Sequence, residues 1–110
     1  IENIIKLIRT KSLVSILVYI NNRFLKERVT NQLRENKYKF EITENFDDTL
    51  IRMRQIDYDW IVIDEDSTSL EQDRIANSIK SNNSGSQILT VNEDEANASI
   101  YKKLSTAFLS

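Results

Sequence analysis

The side chains able to do chemistry in this 110-residue chain are carboxylates, hydroxyls, amides and cations, because it has no His and no Cys. Without imidazole there is no His-based acid–base catalysis, no histidine phosphotransfer and no usual zinc site. Without thiols, cysteine nucleophiles and redox switching are excluded. Gly85 is the single glycine and proline is absent, so neither a Walker loop nor a dinucleotide-binding glycine fingerprint can form. The remaining polar groups concentrate where apolar runs end. Asp64, followed by Glu65 and Asp66, closes one run, Asn21 and Asn22 close another, and Asn92 closes a third. They fall at the strand ends where α/β folds place ligands. Glu93, Asp94 and Glu95 resemble a metal cluster, but acidic residues opening a helix are what its dipole favours.

The elements that must position these groups are readable from periodicity. Ser15 to Ile20 and Trp60 to Ile63 are nearly continuous apolar runs, as expected of strands covered on both faces of a parallel sheet. Lys39 to Thr43 alternates, and Gln87 to Val91 is a fourth candidate strand. Helical patterns fill every gap: Leu25, Val29 and Leu33; then Leu50, Ile51 and Met53; then Ile75 and Ile79; finally Ile100, Leu104, Ala107 and Phe108. Asp47 or Asp48 is expected to cap the second of these helices. Thr68 with Glu71, or Ser69 with Gln72, reads as a capping box for the third. Gly85, in the polar loop after that helix, suits a positive φ. Strands alternating with helices predict right-handed crossovers. The expected architecture is α/β and flavodoxin-like, a parallel sheet of about four strands in order 2-1-3-4 with helices on both faces.

Ile1, Ile4, Ile5 and Ile8 form one further helical stripe. Residues 1–12 are therefore expected to make an extra N-terminal linker, coupling or dimerising helix, and residues 13–110 the α/β domain. An Ile at position 1 also reads as a fragment of a longer protein. The formal net charge of -2 and pI near 5.2 argue against a nucleic-acid partner or direct contact with an anionic membrane. No apolar run approaches the roughly 20 residues that span a bilayer, so the expected setting is cytoplasmic, including the cytoplasmic part of a membrane-anchored sensor.

Three segments in order are similar to a receiver domain of two-component signalling. Leu17-Val18-Tyr19-Ile20-Asn21-Asn22 stands where receivers have four apolar residues and an acidic pair. Thr43-Glu44-Asn45-Phe46-Asp47-Asp48-Thr49-Leu50 resembles the receiver stretch Ala-x-Asn/Asp-Gly-x-Glu-Ala-Leu. Asp59-Trp60-Ile61-Val62-Ile63-Asp64 resembles the segment ending in the phosphoacceptor Asp, and Ile79-Lys80 sits where receivers carry Ile-Arg. The likeness covers roughly residues 15 to 92. It implies that Asp64 keeps the phosphoacceptor position while Asn21 and Asn22 replace the Mg²⁺-holding acidic pair. Asn92 falls at the switch hydroxyl position, and the receiver Lys-Pro pair is missing. Lys102 and Lys103 lie inside the last helical pattern, where a solvated face is expected rather than a replacement for that Lys.

After Asn92 only a loop and one helix remain, so one αβ unit of a receiver is missing. The same abbreviation is found in the α/β/loop domains of Rcs-type phosphorelay sensor proteins. The resemblance implies a noncatalytic pseudo-receiver without cofactor or metal, not an enzyme. Its partners would be a response regulator, a phosphotransfer protein or a neighbouring kinase domain. Asn21 and Asn22 read either as a polar docking lip or as a turn and helix cap. Phe24 is either a docking anchor, with Lys26 beside it, or core. Trp60 is expected in the core, near enough in sequence to Asp64 to serve as a fluorescence reporter. Two alternatives stand beside this reading: an atypical receiver phosphorylated at Asp64, with Glu65 or Asp66 ligating the metal, and a structural spacer that homodimerises through the N-terminal helix.

Overall fold

The computed structural model describes residues 14–82, 84–94 and 97–109, apart from the side chains of Asn97, Phe108 and Leu109. Strand β1 (Ile16–Tyr19) leads to helix α1 (Arg23–Glu35), β2 (Phe40–Ile42) to α2 (Phe46–Gln55), β3 (Trp60–Asp64) to α3 (Ser69–Ser81), and β4 (Gln87–Val91) to α4 (Asn97–Leu109). All pairings are parallel, in the order β2-β1-β3-β4. The expected N-terminal helix, and any dimer through it, lie outside the described residues.

Burial follows the sequence pattern. The continuous apolar runs became the central strands, and every residue of β1 is buried. The half-buried β2 and β4 occupy the two edges. Ile16 and Val18 point to one face, where Leu25, Val29 and Leu33 of α1 meet Ile100 and Leu104 of α4. Leu17 and Tyr19 point to the other, against Met53 of α2 and Ile75 of α3. Alternation along a strand thus splits one apolar run between two cores. The result is a three-layer sandwich with helices on both faces.

Several local expectations are corrected. Asn45, not Asp47 or Asp48, caps α2: its backbone is extended and its side chain accepts the Asp48 N–H at 2.8 Å. The two aspartates fall in the first turn, where they still complement the helix dipole. Thr68 caps α3 as expected, accepting the Glu71 N–H at 3.2 Å. The Glu71 carboxylate, however, accepts the Tyr19 hydroxyl at 3.0 Å, tying α3 to the sheet. Strand β3 also extends through Asp64 itself.

Gly85 does not adopt a positive φ; Lys37 does, at 63°. The loop at Gly85 is held by serine hydroxyls, Ser84 to Asp57 and Ser86 to the Tyr58 carbonyl. The short connection from α1 to β2 instead reverses through a Schellman motif. Lys37 N–H donates to the Arg34 carbonyl and Tyr38 N–H to the Leu33 carbonyl, at 3.1 and 3.0 Å. A side chain at that left-handed position costs about 1 kcal/mol relative to glycine. Lys37→Gly is therefore expected to raise unfolding stability by about 0.5–1 kcal/mol in urea denaturation. Destabilisation would show that Lys37 makes a contact the backbone does not reveal.

Glu41 on β2 accepts hydrogen bonds from Arg52 of α2, at 2.8 Å, and from the Tyr58 hydroxyl. Burial, reinforced by Glu41, pushes the Tyr58 phenol from 10.0 up to about 12. The unfolded chain therefore loses this proton first as pH rises. The stabilisation from the neutral phenol is complete below pH 10.0 and is lost as pH climbs through about 12. Denaturation midpoints should fall across that window, less steeply in Tyr58→Phe. A limb unchanged by the substitution would exclude Tyr58 as its source.

Candidate functional site at the C-terminal edge of the sheet

After β1 the chain departs to α1 on one face, and after β3 it departs to α3 on the other. Adjacent parallel strands whose connections diverge leave a crevice at their C-terminal ends, where open α/β sheets bind ligands. The loops carrying Asn21 and Asn22 and the loop from Glu65 to Thr68 border this crevice. Asn92, immediately after β4, lies at the same edge.

Asp64 is 4% exposed, and both its carboxylate oxygens meet backbone donors. Oδ1 accepts the Asp66 N–H at 3.0 Å, and Oδ2 accepts the Asn22 N–H at 3.4 Å. The Asp64 carbonyl accepts the Ser67 N–H at 3.0 Å, closing the loop into a turn. Asp64 therefore organises two loops through its own lone pairs.

Asn22 fills the helix-cap role and also makes a bond across the crevice. Its backbone is extended, and Oδ1 accepts the Leu25 N–H at 3.0 Å, capping α1. Its Nδ2 donates to Glu93 Oε2 at 2.7 Å, a contact 71 residues away in sequence. Asn92 makes the corresponding link, Nδ2 to Glu65 Oε2 at 2.8 Å. Arg28 reinforces the first link by donating to the Glu93 carbonyl at 3.0 Å. A carboxylate at either Asn position could not donate these bonds and would repel the acid it faces. Neutral amides thus let acidic side chains of neighbouring loops approach and lock together. Among the described residues, no three acidic side chains assemble as a cation site.

Asn21 is exposed and makes a long contact, 3.5 Å from Nδ2 to the Tyr19 hydroxyl. Burial raises the Tyr19 phenol, Asn21 opposes that rise, and Glu71 adds to it. Lys26 pairs with Glu44 at 3.0 Å, a surface contact worth at most about 1 kcal/mol and readily exchanged for another anion. Trp60 opens β3 and Asp64 ends it. Four strand steps, about 13 Å, separate them, so the indole is a poor reporter of the carboxylate. Lys102 is exposed as expected, but Lys103 is half-buried and donates to the Thr90 carbonyl at 3.1 Å. A long aliphatic stem lets its ammonium reach back to the edge strand.

Phe24 is 73% exposed and Leu70 is 67% exposed. Each is the second residue of its helix, α1 or α3, so the two apolar side chains stand on opposite sides of the crevice. The sequence signal for an exposed Leu70 is its place off the stripe that Ile75 and Ile79 define. Glu93 looks like a helix-opening acid in the sequence, since nothing local connects it to Asn22.

No family model matches the chain, and no curated protein matches it. Among solved structures it is similar to the solution structure of a de novo designed Rossmann 2x3 fold protein, with a TM-score of 0.61 and 12% identity. The match covers 88% of this chain and 73% of the designed one. The likeness is one of fold alone. It agrees with the parallel order and layering described above, and the crevice chemistry rests on this chain's own residues.

Proposed function

We infer that this chain is a noncatalytic pseudo-receiver, a docking module of a bacterial sensor kinase or phosphorelay protein. It engages a response regulator, a phosphotransfer protein or an adjoining kinase domain at the C-terminal edge of its sheet. The observation that carries this reading is the pair of amide–carboxylate links, Asn22 to Glu93 and Asn92 to Glu65. They occupy the positions where a receiver would hold Mg²⁺ and a switch hydroxyl. Both Asp64 oxygens already accept backbone N–H groups, and two formal charges that would retain a divalent cation are replaced by neutral groups. The exposed Phe24 and Leu70 beside this locked crevice supply apolar anchors of the kind that dominate binding energy at interfaces.

The test is titration of the isotope-labelled domain with Mg²⁺ and beryllofluoride, followed by incubation with a small phosphodonor and intact-mass measurement. The expected result is no saturable shift at the Asn22, Asp64 or Asp66 amides and no phosphoryl adduct. A saturable Mg²⁺-dependent change abolished by Asp64→Asn would replace this reading with that of a working phosphoacceptor.

A further inference from the structure

The two edges of the sheet are protected very differently. Strand β2 has three residues, and one of them is Glu41, held by Arg52 and Tyr58. Short length and an edge charge are both devices that discourage pairing with another chain. Strand β4 has five residues, Gln-Ile-Leu-Thr-Val, with no charge and no proline.

The hydrogen-bond phase of β4 follows from its ends. Gln87 N–H donates to the Asp59 carbonyl and the Val91 carbonyl accepts the Glu65 N–H, at 2.9 and 2.8 Å. In a parallel ladder one residue's N–H and C=O point to the same side, and successive residues alternate. Gln87, Leu89 and Val91 therefore bond toward β3, and Ile88 and Thr90 present their main-chain groups outward. Lys103 takes the Thr90 carbonyl, which keeps a second lone pair. Among the described residues, no partner meets the Ile88 N–H, the Ile88 carbonyl or the Thr90 N–H.

Beside this edge runs a shallow, mainly apolar groove of about 400 Å³ lined by Leu89, Ala107, Ser99, Thr106, Lys102 and Lys103. A strand laid along β4 would turn alternate side chains toward it. Its apolar floor suits an aliphatic side chain, and the Lys102 ammonium on its rim suits a carboxylate. A second copy fits poorly, because symmetric pairing of β4 with itself would bring the Lys102 and Lys103 groups of both chains together.

We propose that the outer edge of β4, which no described residue pairs, is a strand-addition site for an extended peptide segment whose groove-facing side chains, at every second residue, include an aliphatic and an acidic one. Main-chain bonds to Ile88 and Thr90 supply the pairing, and Lys102 with the Leu89–Ala107 floor supplies the preference. The site is separate from the Asp64 crevice and does not depend on how that crevice is used.

The test is titration of the isotope-labelled chain with a blocked peptide that carries valine and glutamate in turn at every second position with threonine between them, and with its counterpart in which lysine replaces glutamate. The expected result is saturable shifts and slowed hydrogen exchange at the Ile88 and Thr90 amides, with the lysine peptide roughly tenfold weaker or worse. Lys102→Glu should reverse that preference. Ile88→Pro should abolish binding while the β1 and β3 amides keep their shifts, because the lost N–H points away from the ladder. If the proline variant fails to fold, Lys102→Glu decides alone. Equal affinity for both peptides, shifts confined to other elements, absence of saturation, or self-association through the β4 amides would each overturn the proposal.

Discussion

Truncating Leu25 to alanine is expected to lower the unfolding free energy by about 3–4 kcal/mol. Leu25 is fully buried among α1, β1 and α4, beside Val29, Val18 and Ile100. The loss combines the transfer energy of the missing methyl groups with an unfilled cavity, since the α1 cap and the Schellman turn hold the helix at both ends. Domains of this size carry about 5–15 kcal/mol in total, so the melting temperature should fall by on the order of 20 °C. Denaturant titration checks it: the midpoint should shift while the slope stays constant. A loss below about 1 kcal/mol would mean that α1 is not clamped on the sheet as described.

One residue earlier, Phe24→Ala is expected to do the opposite. The ring is 73% exposed, so stability should change by less than about 0.5 kcal/mol. On the docking function proposed above, affinity for the response regulator, phosphotransfer protein or kinase domain it engages should fall by about 2 kcal/mol, roughly thirtyfold, as for a central aromatic anchor. Leu70→Ala should weaken the same complex by a smaller factor, because it stands across the crevice from Phe24 and offers less area. Calorimetric titration of the two variants against the partner measures both effects. Unchanged affinity in both would remove the crevice rim from the interface, even with the domain intact.

The contrast between Leu25 and Phe24 shows how far periodicity reaches. The spacing of Leu25, Val29 and Leu33 predicts which face of α1 is buried, and Phe24 lies about 100° away from it. Periodicity does not say whether an off-stripe residue meets another layer. Only the placement of the layers leaves Phe24 and Leu70 uncovered. Lys103 shows the same limit in reverse: the helical pattern places it in solvent, yet the closeness of α4 to β4 brings its ammonium to a strand carbonyl.

Local chemistry by itself determined the strands, the helices between them, the central places of β1 and β3, and the Thr68 cap. These follow from backbone sterics, side-chain periodicity and the need to bury apolar runs on one or both faces, all acting within a few residues. Tertiary structure alone decided the use of the polar strand ends. Asn22 meets Glu93, Asn92 meets Glu65, and Tyr19 meets Glu71 across separations no local pattern encodes. Such bonds depend on two loops arriving within 3 Å or so of each other, and that proximity is a property of the assembled sheet.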